Sequence, residues 1–453
     1  MAIVKKRLII WLLRAYIKRW GKIIILYFFL GLVIFFMLLV GFTYLAPKFP
    51  FGRNEVIGVY GNYRIDTLPD SILKNLGEGL TVIDDHGTIH PGMASSWAIE
   101  NGGKTYVFRL KPHLVYNDGS VVTSSSINLH YKDVTVSYPD TDTIVFKLQN
   151  PYTPFLVTVS KPIFKKDFVG VGNYVVSTSK INGSFVESIT LHSHGLPSTV
   201  ISYEFYPTQE SLKIAFALGE ISQISGIDDI SFKNTSFKKF PNTQVERQVN
   251  YNELVTLFYN TNDKILNDKK VRTALAYALP NTFINGLRAQ SPLSPLSWAY
   301  QPNDEYVQDF YHAKLLLQAA GFDTKVKIPT LEIDSLPRFK ATAQEIASVW
   351  KKIGVSTKIV LVDRAPGNAN YQIFLGNFIE PKDPDQYTLW HSDQSNNITN
   401  YKNLRIDKLL EDGRRTVEQD KRVTLYANFQ KYLIEDQPAS FLYFPYTYSI
   451  TRR

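Results

Sequence analysis

The run from Ile23 to Ala46 holds 24 residues of Ile, Leu, Phe, Val, Gly and their like without one charge. As a helix it is long enough to cross a hydrocarbon core of roughly 30 Å. Before it stand Lys5, Lys6, Arg7, Arg14, Lys18, Arg19 and Lys22, and no acidic residue occurs until Glu55. This excess of cations holds the N-terminus in the cytoplasm and puts the bulk of the chain outside, in a single-pass cell-membrane protein. A cleaved signal peptide has a shorter apolar core, about 7–15 residues, and a small-x-small cleavage site, which does not follow this run. The chain has no cysteine, so a thioether-linked lipid cannot replace the helix. Residues 1–22 read as a basic amphipathic segment, with Leu13, Ile17 and Trp20 on one helical face and Arg14, Lys18 and Lys22 on another. Such a segment lies along the inner leaflet with its cations toward anionic headgroups.

The same partition disposes of the pI near 9.2 as a sign of nucleic-acid binding. Beyond the seven N-terminal cations the chain carries 43 Lys+Arg against 41 Asp+Glu, so the outer part is almost neutral. It shows no basic stripe with interleaved aromatics, and nucleic acid is not expected as a partner. Without cysteine there are no disulfides or thiolate metal sites.

About 400 residues remain outside the membrane, too many for one compact core, so at least two lobes are expected. Residues 56–200 read mostly as short strands, among them Tyr106–Leu110, Thr143–Leu148 and Tyr174–Val176. From about 250 helix and strand alternate. Asn267 or Asp268 caps a helix with Val271, Ala274, Leu275 and Ala278 on one face, and a second helix over Ala313–Ala320 stops at Gly321. A third carries Ile346, Val349, Trp350 and Ile353 at the spacing of a buried stripe and ends at Gly354, before a strand over Lys358–Val362. Leu409, Leu410, Leu425, Phe429 and Leu433 continue the helical pattern, and Phe441–Tyr448 returns to strand.

Enzyme motifs are missing. His86 and His90 flank a glycine turn, and neither they nor His192 and His194 have the acidic partner of a zinc hydrolase. No nucleophile elbow, Walker loop or dinucleotide fingerprint appears. The expectation is a protein that is not an enzyme, with no cofactor and no metal.

Several segments recur in the order of one family. Leu76-Gly77-Glu78-Gly79-Leu80 is followed by Gly87-Thr88-Ile89-His90-Pro91-Gly92-Met93-Ala94-Ser95-Ser96-Trp97, a glycine turn, a proline, a small residue and a tryptophan. Then come Gly103 to Leu110, Asn117-Asp118-Gly119-Ser120, Asp268 to Ala278, Ala313 to Gly321, and Asn400-Tyr401-Lys402-Asn403 leading into Ile406-Asp407-Lys408-Leu409-Leu410. Taken together they resemble the family 5 extracellular solute-binding proteins, the peptide- and nickel-binding components of ABC importers, across residues 75–445. Two departures stand out. Thr123 is followed by three serines where the family starts a helix with Thr-x-x-Asp, and the region up to Gly170 is short, which implies a trimmed accessory subdomain. Gly170-Val171-Gly172-Asn173-Tyr174 lacks the proline of the family's turn.

The resemblance implies an α/β, bilobal periplasmic-binding-protein-like clamp (type II, cluster C) behind the N-terminal transmembrane helix. Its expected parts are the basic segment 1–22, the span 23–46, a first lobe over 53–250 with the subdomain at about 85–165, a second lobe over 251–430, and a return of 431–453 to the first lobe. It implies a peptide ligand held between the lobes and an ABC permease as partner. A free peptide brings a terminal ammonium that needs a counter-charge when buried. In the oligopeptide binders an Asp in a Trp-x-x-Asp-x-x-x-Pro loop supplies it. Counting back from Pro384, Glu380 holds that position, with Phe378 near the tryptophan's and Asp383 and Asp385 as substitutes. The plainer alternative leaves Glu380 as a loop carboxylate paired with Lys382 or solvent. Two further alternatives stay open: a clamp that senses or scaffolds a partner protein instead of transporting, and a binder of nickel, haem or oligosaccharide.

Overall fold

The computed structural model describes residues 2–45, 53–194, 198–303, 307–367 and 371–452. Met1, Ala46 and Arg453, end points of three expected segments, lie outside the described residues. The chain divides into two units, Met1–Asn54 with Ser193–Val200 and Glu55–His192 with Ile201–Arg453.

The first unit is dominated by one helix, Ala2–Leu45. It runs through Lys22 without a break, because its isolated glycines Gly21, Gly31 and Gly41 lower helix propensity without ending a helix. Its stretch Lys18–Met37 has mean hydropathy 2.2 and none of it is buried, so this helix is long and apolar enough to cross a membrane.

In the second unit, strand Glu253–Tyr259 is buried at every position, as a central strand covered on both faces must be. Val255, Leu257 and Tyr259 point to one face, where helices Lys269–Tyr277 and Lys340–Lys352 bring Val271, Leu275, Ile346 and Trp350. Leu254 and Phe258 point to the other, where Trp390 and the helices Leu404–Arg415 and Gln419–Asp436 close the layer with Ile406 and Phe429. Each such side chain contributes about 1.5–3 kcal/mol by leaving water. Asp268 starts the first of these helices, its Oδ1 accepting from the Lys270 N–H at 2.8 Å.

The C-terminal strand Ala439–Arg452 ties the lobes together. Its first part pairs antiparallel with Glu253–Tyr259, Phe258 opposite Ala439 and Val255 opposite Tyr443. Its second part pairs with Thr243–Val249 and with Gln223–Ile227, Val249 opposite Tyr446 and Ile224 opposite Ile450. One strand therefore leaves the core around Glu253–Tyr259 and continues into the pairing with Thr243–Val249 and Gln223–Ile227.

A separate four-stranded antiparallel sheet runs in the order Ala94–Glu100, Thr105–Leu110, Thr143–Leu148, Val134–Ser137. It has its own core of Tyr106, Phe108, Phe146 and Phe155, distinct from the one that holds Val271. At Thr123 the three serines form a single 3-10 turn, Ser124–Ser126, closed by the Thr123 N–H on Ser126 Oγ at 3.0 Å. Gly170 and Gly172 pack on the end of helix Asp70–Leu76. A Cβ there would lie 2.3 Å from the Leu76 or Asn75 carbonyl oxygen, so the turn keeps its glycines without the proline.

Candidate functional site between the lobes

Leu331–Ser335 and Ile373–Ile379 are adjacent parallel strands, and their carboxyl ends are where an α/β sheet presents its binding loops. Glu380 follows the second strand directly. Its N–H donates to the Asn252 carbonyl at 2.9 Å, which continues the pairing of Ile379 with Glu253 and fixes the side chain's direction. Glu380 is 7% exposed, and its Oε2 accepts from the Ser294 N–H at 2.7 Å. Lys382 does not reach it, because the Lys382 ammonium donates to Asn252 Oδ1 at 3.0 Å. Burial pushes the Glu380 carboxyl up to about 8, against the opposing pull of the Ser294 N–H and the Lys382 charge.

Beside Glu380 lies a cavity of about 20 Å³, roughly one water, lined by His86, Gly87, Tyr251, Ser294 and Lys382 among others. Gly87, at φ +77°, brings its loop so close that a Cβ would sit 2.7 Å from the Lys382 carbonyl oxygen. The lobes also meet at Thr153, whose N–H and Oγ1 donate to the Arg414 and Thr416 carbonyls, both at 2.8 Å.

The other expected site residues are held differently. The Phe378 ring lies 6.4 Å from Phe258 at the edge of the second lobe's core. Asp383 accepts both ends of the Arg422 guanidinium, at 2.6 and 2.9 Å, with both residues buried. Burial alone would pull the Arg422 pKa down; the Asp383 carboxylate reverses this and leaves it raised. Asp385 Oδ2 accepts from Arg414 Nε at 2.8 Å, and its Oδ1 caps the turn at Tyr387 at 3.1 Å. Among these four, Glu380 is the carboxylate without a cation. Of the histidines, His86 lines the Glu380 cavity and His90 Nε2 lies 3.0 Å from Asp84 Oδ2. Among the described residues no three His, Cys, Asp or Glu side chains are grouped to hold a metal.

Sequence reasoning missed a second chamber, of about 420 Å³, lined by Asp228 and Asp229, by Arg338 and Phe339, and by Tyr443 and Tyr446 of the crossing strand. Arg338 lies just past the carboxyl end of Leu331–Ser335 and is ion-paired with Glu253. Burial raises the Glu253 pKa, with Arg338 opposing. The Pro337-Arg338 step after a parallel strand was the available signal, and the strand-end rule would have found it.

The model of the bacterial extracellular solute-binding proteins, family 5 middle region, matches residues 88–400. The oligopeptide-binding protein AppA of Bacillus subtilis is 30% identical over 476 residues, covering 87% of this chain and 86% of AppA. The dipeptide-binding protein of Escherichia coli is 24% identical over 434 residues, covering 77% of this chain and 79% of that protein. The crystal structure of the ABC transporter substrate-binding protein CtaP of Listeria monocytogenes has the same fold, with a TM-score of 0.74 at 23% identity over 88% of this chain and 94% of CtaP.

Proposed function

The chain belongs to the bacterial extracellular solute-binding proteins, family 5, and on that premise we propose that it captures peptides between its lobes and delivers them to an ABC permease. One observation carries the peptide reading. Glu380 is a buried carboxyl group with a single backbone donor and, among the described residues, no ion-paired cation, at the end of a strand that opens on the lobe interface. A terminal ammonium supplies the missing charge, and the Ser294 N–H already holds the carboxylate in place. Asp383 and Asp385 fix the loop around Glu380 through Arg422 and Arg414. Phe378 braces the strand from the core side.

The Glu380 cavity has room for about one water, the Gly87 loop closes over it, and Thr153 joins the same two parts of the chain at Arg414 and Thr416. A peptide therefore enters by rotation of the lobes about crossing segments near residues 250 and 430, a hinge closure of the usual kind. The clamp's parts are the first lobe over 53–250 with its subdomain at about 85–165, the second lobe over 251–430, and the returning segment 431–453. The strand Ala439–Arg452, paired in both sheets, supports that return.

The test uses full-length protein in detergent micelles, with trialanine and N-acetyl-trialanine as probes in calorimetry. Losing one member of a buried charge pair costs on the order of 2–5 kcal/mol, so the acetylated peptide should bind about thirtyfold more weakly or worse. Equal affinity for the two peptides would remove the ammonium from the site.

Anchoring is the second part of the reading. Helix Ala2–Leu45 holds the receptor at the cell membrane, with the seven cations that precede its apolar span inside and the lobes outside. Protease added to intact cells should digest the chain beyond Pro47 and spare the first 22 residues. Recovery of a soluble protein starting near Lys48 would contradict the anchor.

A further inference from the structure

We infer that the larger chamber is a compartment for a cationic side chain of the bound peptide, with Asp228 as its counter-charge, an inference that rests on the peptide reading above. The chamber measures about 420 Å³, within the range of small-ligand pockets and ample for a lysine or arginine side chain.

Its charges do not cancel. Asp229 is matched by Lys213, whose buried ammonium lies 3.0 Å from Asp229 Oδ2. Arg338 is matched by Glu253. Asp228, on the same turn as Asp229, accepts one hydrogen bond from neutral Gln209 Nε2 at 3.2 Å. Among the described residues no Lys, Arg or His nitrogen stands within ion-pair distance of Asp228. One negative charge is left facing the chamber, and after burial and Arg338 it is among the influences on Glu253.

The walls suit the same ligand. Tyr443, Tyr446, Tyr448 and Phe339 line the chamber, and the faces of such rings attract cations. Tyr446 already serves in this way toward a cation outside the lining, the Arg247 guanidinium, which lies 4.3 Å from its ring centroid. A neutral side chain leaves Asp228 unmatched, and an acidic one meets it with like charge. Selection therefore comes from repulsion as well as attraction.

The test is calorimetry on full-length protein in detergent micelles. The probes are tripeptides with a free N-terminus and one lysine among alanines, at each position in turn, each compared with its Nε-acetyl-lysine counterpart. At one position lysine should bind about tenfold more tightly than acetyl-lysine, an effect of the size expected for a partly hydrated charge against aromatic faces. Asp228→Asn should bring that ratio close to one, and Asp228→Glu should keep it. The inference is overturned if no position prefers lysine, or if the preference survives in Asp228→Asn; acetyl-lysine peptides that still bind then leave the peptide reading standing. Failure of every peptide to bind removes the peptide reading and this inference with it.

Discussion

Asp383→Ala should lower the unfolding free energy by about 3–5 kcal/mol, because it strands the Arg422 guanidinium in the interior. Arg422 is 5% exposed, donates both terminal nitrogens to Asp383, and spends Nε on the Gly413 carbonyl at 2.9 Å. The Trp298 and Tyr426 rings, 5.1 and 5.4 Å from the guanidinium, offer it quadrupoles, and the Tyr426 hydroxyl accepts from its Nη2 at 3.3 Å, but one long bond to a neutral oxygen does not replace a carboxylate. The cost thus comes from an uncompensated buried charge, more than from the lost attraction. It follows that Asp383→Ala combined with Arg422→Met should recover much of the loss, since an apolar pair has no charge to desolvate. Asp385→Ala is the control. Its partner Arg414 has a side chain 24% exposed, so water takes over part of the interaction and the loss should be smaller. Urea melts of the four proteins check the ranking; equal losses for Asp383→Ala and Asp385→Ala would show that burial does not set the cost.

That pair illustrates which parts of the molecule its sequence discloses. Asp268, the stripe Val271, Ala274, Leu275 and Ala278, and the stops at Gly321 and Gly354 are local signals, and local forces honour them. The cap bond forms, the stripe is fully buried, and both glycines adopt positive φ at the helix ends. Arg422 carries no such signal. On helix Gln419–Asp436 it looks like one more surface cation, and its partner stands 39 residues away on a different element. The run Phe441–Tyr448 reads as a strand, but its service to both lobes depends on pairing with strands about 200 residues earlier, which no local pattern specifies. Glu380 was reached by resemblance of its loop. Its burial depends on Ser294 and on the loop at Gly87, neither of which is near it in sequence.

Glu380→Gln should make the empty protein more stable in alkali and the loaded protein weaker. The folded chain holds the Glu380 proton up to about pH 8, whereas an ordinary glutamate releases it near 4.5. Between those values the unfolded state binds fewer protons than the native one, so stability is fully present below about 4.5 and falls as pH rises through 8. The loss reaches about 4–5 kcal/mol at the most alkaline end. A glutamine side chain in its place cannot ionise and keeps an oxygen for the Ser294 N–H, so the variant should match the wild type near pH 4 and exceed it by several kcal/mol near pH 9. Binding reverses the order. A peptide ammonium beside Glu380 favours the carboxylate, so trialanine binding near neutral pH should release a proton, seen as a binding heat that varies with the buffer's ionisation enthalpy. The variant should lose on the order of 2–5 kcal/mol for the free peptide and be nearly indifferent to acetylation, which closes a double-mutant cycle. Additive losses would mean that the carboxylate and the amine never meet, and a variant no more stable at pH 9 would mean that Glu380 is solvated. If both expectations hold, the fold tolerates a carboxyl group that weakens it when empty because the ligand's amine makes that same group favourable, a cost of function carried at one residue.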